Sequence, residues 1–97
     1  MTKKIGYIYA LSSPYYEKIY IGSTTQNLKY RLSNHKTDFK NKKKLTASKV
    51  LKHPQVKIIK LLKIKFENRK ELFEIEKELI RANKNIVVNK CYNINNN

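Results

Sequence analysis

Residues 5–23 read Ile-Gly-Tyr-Ile-Tyr-Ala-Leu-Ser-Ser-Pro-Tyr-Tyr-Glu-Lys-Ile-Tyr-Ile-Gly-Ser. This stretch decides the fold class. Residues 5–11 and 19–23 are runs of β-branched and aromatic residues, which fit a pleated, half-buried surface. Residues 12–18, with Pro14 among them, read as a loop. Two strands so close in sequence predict a hairpin. Alternation puts Tyr7 and Tyr9 on one face of the first strand, and Tyr20 and Gly22 on one face of the second. Gly22 opens room there for another backbone or a ligand. Tyrosines in a small sheet are more often packing residues than catalysts.

Beyond the hairpin, Thr24 or Thr25 is placed to cap a helix reaching about Phe39. Residues 40–45 form a basic loop. Residues 48–52 form a helical turn ended by His53-Pro54. In residues 56–66 the even positions Val56, Ile58, Leu62, Ile64 and Phe66 make one apolar face that only Lys60 interrupts. As a helix the same residues would spread lysines around much of the circumference, so a third strand is expected. Asn68 or Arg69 opens a second long helix reaching about Asn83. A short ordered stretch near residues 87–92 follows, then an Asn-rich tail, 93–97. The order β-β-α-α-β-α predicts an α+β fold: one domain, residues 1–92, with a small three-stranded antiparallel sheet flanked by helices.

The 97 residues suffice for one domain with a modest core. No run of about 18 apolar residues is present, so no membrane span or membrane partner is expected. The apolar stretch after Met1 is too short for a signal peptide. One cysteine, Cys91, excludes an internal disulfide and a multi-cysteine zinc site. An intracellular protein, cytoplasmic or nuclear, is the expectation. Two glycines exclude the glycine-rich phosphate cradles of nucleotide-binding folds. The net charge is +15, and residues 1–66 carry sixteen Lys and Arg against Glu17 and Asp38. One-signed charge on this scale points to a polyanion such as nucleic acid. A merely solvated surface, or an acidic membrane or protein partner, is the competing reading, and AT-rich codons for Lys, Asn and Ile account for part of the composition.

Two side chains stand out on helical wheels. In the second long helix Leu72, Phe73, Ile75, Leu79 and Ile80 form the apolar arc, and Glu76 falls near its middle. Glu71, Glu74 and Glu78 fall on the opposite face. A buried carboxylate needs a cation, hydrogen-bond donors or a raised pKa. It is therefore either half of a buried salt bridge or a metal ligand or general acid/base. In the first helix Arg31 and His35, one turn apart, border the stripe of Leu28, Leu32 and Phe39. Arg31 is the one arginine in the first 68 residues of a chain with 19 Lys and 3 Arg. A position that prefers Arg suits bidentate contact with phosphate or carboxylate; an arginine snorkelling from the rim fits equally.

Tyr7-Ile8-Tyr9, ten residues, Tyr20-Ile21-Gly22, then Arg31, His35 and Glu76 in order resemble the GIY-YIG nuclease domain over essentially the whole chain. Asn89 matches an Asn that often follows the Glu helix in that family. One departure is that the glycine of the first motif is Tyr7 here. The resemblance implies hydrolysis of DNA phosphodiesters with one divalent ion, Mg²⁺ or Mn²⁺. Glu76 would bind the metal and Arg31 the scissile phosphate. Tyr9 would act as general base, helped by Tyr20, its phenolate favoured by cationic surroundings. His35 would position groups or donate a proton. Tyr7, Gly22 and Asn89 would support the site, Asn89 by orienting it or contacting DNA. Lys40, Lys42, Lys43, Lys44 and Lys49 would track the DNA backbone. Low intrinsic sequence specificity is expected, with a targeting protein partner or none, acting as a monomer or a DNA-induced dimer. The competing readings are a non-catalytic nucleic-acid-binding module on the same fold and a cationic surface-binding protein.

Overall fold

Ile8, Tyr9, Ala10 and Leu11 are buried one after another. Side chains of a strand alternate between faces, so four consecutive buried residues require a strand covered on both sides. The computed structural model, which describes residues 3–43 and 45–89, places them in the central strand of an antiparallel sheet. That strand is β1 (Lys4–Ser13). It pairs with β2 (Tyr16–Thr24) on one side and β3 (Lys57–Phe66) on the other, giving the order β2-β1-β3. Helices α1 (Leu28–Lys40), α2 (Ser48–Leu51) and α3 (Arg69–Ala82) complete the α+β fold expected from the sequence.

Each face of the sheet has its own core. Ile8 and Ile21 join Phe66, Leu72, Ile80 and Val87 on the face covered by α3. Tyr9 and Leu11 join Ala47, Val50, Leu51 and Val56 on the other face, with Leu28 and Leu32 of α1 packed against them. The α3 stripe read from the wheel is the buried one: Leu72, Glu76 and Ile80 face inward. Truncating Leu72 to Ala would cost about 2–5 kcal/mol, the usual range for a buried leucine.

Three expectations are corrected. The hairpin loop is not residues 12–18: Ser13 pairs with Tyr16, leaving Pro14 and Tyr15 as the turn. The strand ends are tied down, because Tyr16 stacks on His53 at 4.2 Å and Ser13 Oγ donates to the Pro54 carbonyl at 2.7 Å. Neither Thr24 nor Thr25 caps α1. Thr24 remains in β2, its Oγ1 accepting from the Gln26 amide, and Asn27 is the cap, accepting from Lys29 and Tyr30 amides. The even positions of residues 56–66 do not share one face. Ile8 pairs with Leu62 but Tyr9 with Lys60, so Leu61 is an extra residue, a β-bulge. The bulge flips the alternation: Val56 and Ile58 enter the α2-side core, while Ile64 and Phe66 enter the α3-side core. As expected, α3 runs to Ala82 with Asn83 as its C-cap, and a β-bridge at Val87 falls in the stretch expected near residues 87–92, whose last part and the tail lie outside the described residues.

Candidate active site

Sheet order leaves β2 at an edge, yet that edge is occupied. The Ile19 amide donates to the Ile86 carbonyl and the Val88 amide to the Ile19 carbonyl, each at 2.8 Å, forming a parallel bridge. One step further the partner is a side chain. Asn89 Oδ1 accepts from the Ile21 amide at 2.9 Å and its Nδ2 donates to the Ile21 carbonyl at 2.8 Å. The side-chain amide takes the place of a fourth strand's peptide and satisfies backbone groups that an edge would leave open. Elements from both faces meet here around a cavity of 390 Å³. Tyr20 of β2, Arg31 and His35 of α1, Glu76 and Ile80 of α3, Asn89, and Leu45–Ala47 line it.

Glu76 reaches the cavity from the α3 face. It is 9% exposed, and its one hydrogen-bond partner among the described residues is the Ser23 hydroxyl, which donates to Oε1. No lysine or arginine among the described residues stands within ion-pair distance of it, so the buried salt bridge is not made. Burial pushes its carboxyl above the usual range, and the Ser23 hydrogen bond pulls it part of the way back. The carboxylate has no cationic partner among the described residues. Among the described residues no group of three or more His, Cys, Asp or Glu surrounds a common point. One carboxylate with water and phosphate oxygens is a donor set that fits Mg²⁺ or Mn²⁺, and does not fit a zinc site built from several protein ligands.

The α1 face contributes a buried pair. Tyr9 Oη and His35 Nε2 lie 2.7 Å apart, and the two residues are 0% and 2% exposed. The Arg31 guanidinium lies near the phenol and offsets part of the rise that burial causes. With the imidazole proton on Nδ1 the phenol donates to Nε2, and with it on Nε2 the phenol oxygen accepts. His35 Nδ1 is buried and has no partner among the described residues. Burial, aided by the Arg31 charge and opposed by Asp38, holds the His35 imidazole down to about 4. The expectation that cationic surroundings favour the Tyr9 phenolate is corrected: burial first, then Tyr20, pushes the phenol up, and Arg31 only partly offsets them. The phenol that lines the cavity is Tyr20, whose ring meets those of Tyr9 and His35 at 6.4 and 5.6 Å.

The other residues singled out from the sequence sort as follows. Gly22 does not hold space for a ligand. A Cβ there would stand 2.5 Å from Tyr9 Oη and 2.7 Å from its Cζ, so the glycine makes room for the Tyr9 ring. Tyr7 shares the face of Tyr9 but pairs with Thr24, away from the cavity lining. Asn89 orients β2. Lys40, Lys42 and Lys43 line a separate hollow with Phe39 and Ser48, and Lys43 pairs with Asp38 at 3.4 Å. Lys49 is exposed, and Lys44 lies outside the described residues. Sequence reasoning missed Ser23. Strand alternation signals it, because the residue after Gly22 must face α3 and hence Glu76.

A family model for the GIY-YIG catalytic domain matches residues 5–93. The chain is 36% identical over 81 residues to Uncharacterized protein 019R of Invertebrate iridescent virus 6, a match covering 80% of this chain and 29% of that protein. No solved structure matches. Near-complete coverage by the family model, on a sheet that pairs the strands of the two tyrosine motifs, shows that the chain belongs to the GIY-YIG family of nuclease domains.

Proposed function

We propose that the chain is a divalent-metal-dependent endonuclease that hydrolyses DNA phosphodiester bonds. One observation carries the reading: Arg31 and Glu76, from opposite faces of the sheet, line one cavity, and neither has an ionic partner among the described residues. An arginine fork fits the anionic phosphate, and a carboxylate lacking a cation fits the metal that a phosphate brings with it. Glu76 would hold Mg²⁺ or Mn²⁺, which when bound neutralises charge on the phosphate and leaving oxygens. Arg31 holds the phosphate and stabilises the charge that grows on it during attack. The Tyr20 phenol borders the space an attacking water would occupy, and the Tyr9–His35 pair behind it can take up a proton. Phosphate binding at Arg31 cancels the charge that depresses His35, so His35 becomes a better proton acceptor once substrate is bound.

DNA is the substrate the basic surface favours, through salt-dependent contacts that carry no base preference. One such cavity per chain supports nicking of one strand per encounter, and cutting of both strands if two chains assemble on the duplex. Sequence-specific targeting would then come from a partner. Supercoiled plasmid is the test. The wild type should nick it in Mg²⁺, and EDTA or Glu76→Ala should each abolish nicking. Salt-sensitive binding without any nicking would overturn the nuclease reading in favour of a binding module.

A further inference from the structure

Arg69, the first residue of α3, belongs to no sequence motif and has a place in the structure that the reading above does not use. Together with Ser23, Thr24, Thr25, Gln26 and Arg31 it lines a cleft of 380 Å³. Arg31 is common to this cleft and to the active cavity. Ser23 and Arg69 also line a third hollow that includes Glu76. The three hollows thus share lining residues, Glu76 joining the active cavity to the third hollow and Arg31 joining it to this cleft. Of the three arginines, Arg81 pairs with Glu78 at 2.7 Å. The other two have no carboxylate within ion-pair distance among the described residues, and both face this one cleft. The carboxylate at the start of α3, Glu71, is engaged elsewhere, its Oε1 accepting from the Glu67 amide. Asn68 fixes the backbone beside Arg69 by capping the Lys70 amide.

We infer that this cleft is a second phosphate site, in which Arg69 grips the phosphate next to the one being cut on the same strand. The inference rests on the nuclease reading of the neighbouring cavity. The lining is two guanidiniums, hydroxyls and an amide, with no aromatic ring on which a base could stack. A phosphodiester oxygen satisfies such a lining, and a base does not. Two arginines on adjacent phosphates would fix the direction in which the strand crosses Glu76. Arg69 is a positioning residue, since it holds a phosphate that does not react.

The test uses duplexes carrying one methylphosphonate at a fixed place in an otherwise uniform strand, with cut positions read on a gel. Wild type should fail to cut at the substituted bond and be suppressed at one neighbouring bond, on one side only. Arg69→Ala should regain cutting at that neighbour. Its KM should rise about tenfold with kcat little changed. The salt slope of DNA binding should shrink by about 1, and Arg69→Lys should restore the slope. Identical suppression in wild type and Arg69→Ala would overturn the inference while leaving the nuclease reading intact. Absence of cutting by every protein would overturn the nuclease reading, and the salt slope would still report whether Arg69 contacts phosphate. Matched circular dichroism spectra show that the variants fold.

Discussion

The two faces of the sheet bury reactive groups in opposite ways. Under α3 the core is Ile8, Ile21, Phe66, Leu72 and Ile80, and the one charged residue among them is Glu76, held by a single hydroxyl. Under α1 the reactive groups are a phenol and an imidazole, bonded to each other and both uncharged. Burial opposes the charge of Glu76, whereas it reinforces the neutrality of Tyr9 and His35. Among the described residues one face thus lacks a cation, and the other is stable until acid reaches it. The cavity at the β2 edge is where the two conditions meet: an anion with its metal answers the first, and the same anion at Arg31 eases the second by raising the proton affinity of His35.

Glu76→Gln tests the α3 face and carries the largest expected effect. Gln keeps an acceptor for Ser23 and removes the charge. Nicking should fall by about 10³-fold or more, the scale of losing metal stabilisation of a phosphoryl transition state. Stability should move the other way. The folded-state pKa of Glu76 is raised, so the folded protein takes up a proton at higher pH than the unfolded chain does. Stability is therefore gained as pH falls through that window and is lower above it. The Gln variant should melt higher than wild type at pH 7.5, with the gap closing below about pH 4. Equal melting temperatures at pH 7.5 would show that the buried charge is already compensated.

The α1 face should show the reverse slope. His35 titrates near 4 in the folded protein against an ordinary 6.5, so between these values the unfolded chain holds the proton and the folded one does not. Stability is full above about pH 6.5 and falls by roughly 3 kcal/mol as pH drops through 4. Burial sets most of the depression, Arg31 adds to it and Asp38 resists it, so Asp38→Asn should steepen the loss. His35→Gln should flatten this acid limb and leave the opposite contribution of Glu76 visible. Urea titrations at pH 7, 5.5 and 4 read both variants. An unchanged limb in His35→Gln would place the acid sensitivity elsewhere.

Much of this contrast is legible from the residues alone. The wheel of α3 put Glu76 inside an apolar arc, and the wheel of α1 put Arg31 and His35 beside Leu28 and Leu32, because helical period converts directly into a face. What the period could not give is which face of the sheet each strand residue joins once a bulge intervenes. Leu61 and Leu62 are both apolar, so the pattern reads smoothly through the bulge that reverses it. Pairings far apart in sequence were equally hidden. Ser23 with Glu76, Asn89 with Ile21 and Arg69 beside Arg31 exist only because the sheet brings distant segments together. The long hairpin was read too short because its last pairs are stabilised by His53 and Pro54, some 40 residues on. The sign of the Tyr9 shift depended on depth of burial, which a count of nearby lysines does not report.

The two glycines give the finest comparison, one on each face. At Gly6, facing α3, an added Cβ would meet Leu72 Cδ2 at 2.8 Å and Phe66 Cε1 at 3.0 Å. The first of these is the end of an aliphatic side chain that can turn. At Gly22, facing α1, it would meet Tyr9 Oη at 2.5 Å. That oxygen ends a rigid ring, fully buried and tied to His35, so the whole pair must shift. Both Ala variants overpack a core, at about 1–3 kcal/mol. Gly6→Ala should fall at the low end and keep nicking close to wild type. Gly22→Ala should lie at the high end and lose activity about 10²-fold, because a displacement near 1 Å at a reacting group costs that much. If Gly6→Ala loses as much activity as Gly22→Ala, the faces are mechanically coupled through β1 and the site depends on the α3 core as closely as on the phenol. If both keep full activity, the Tyr9–His35 geometry is not what the chemistry requires.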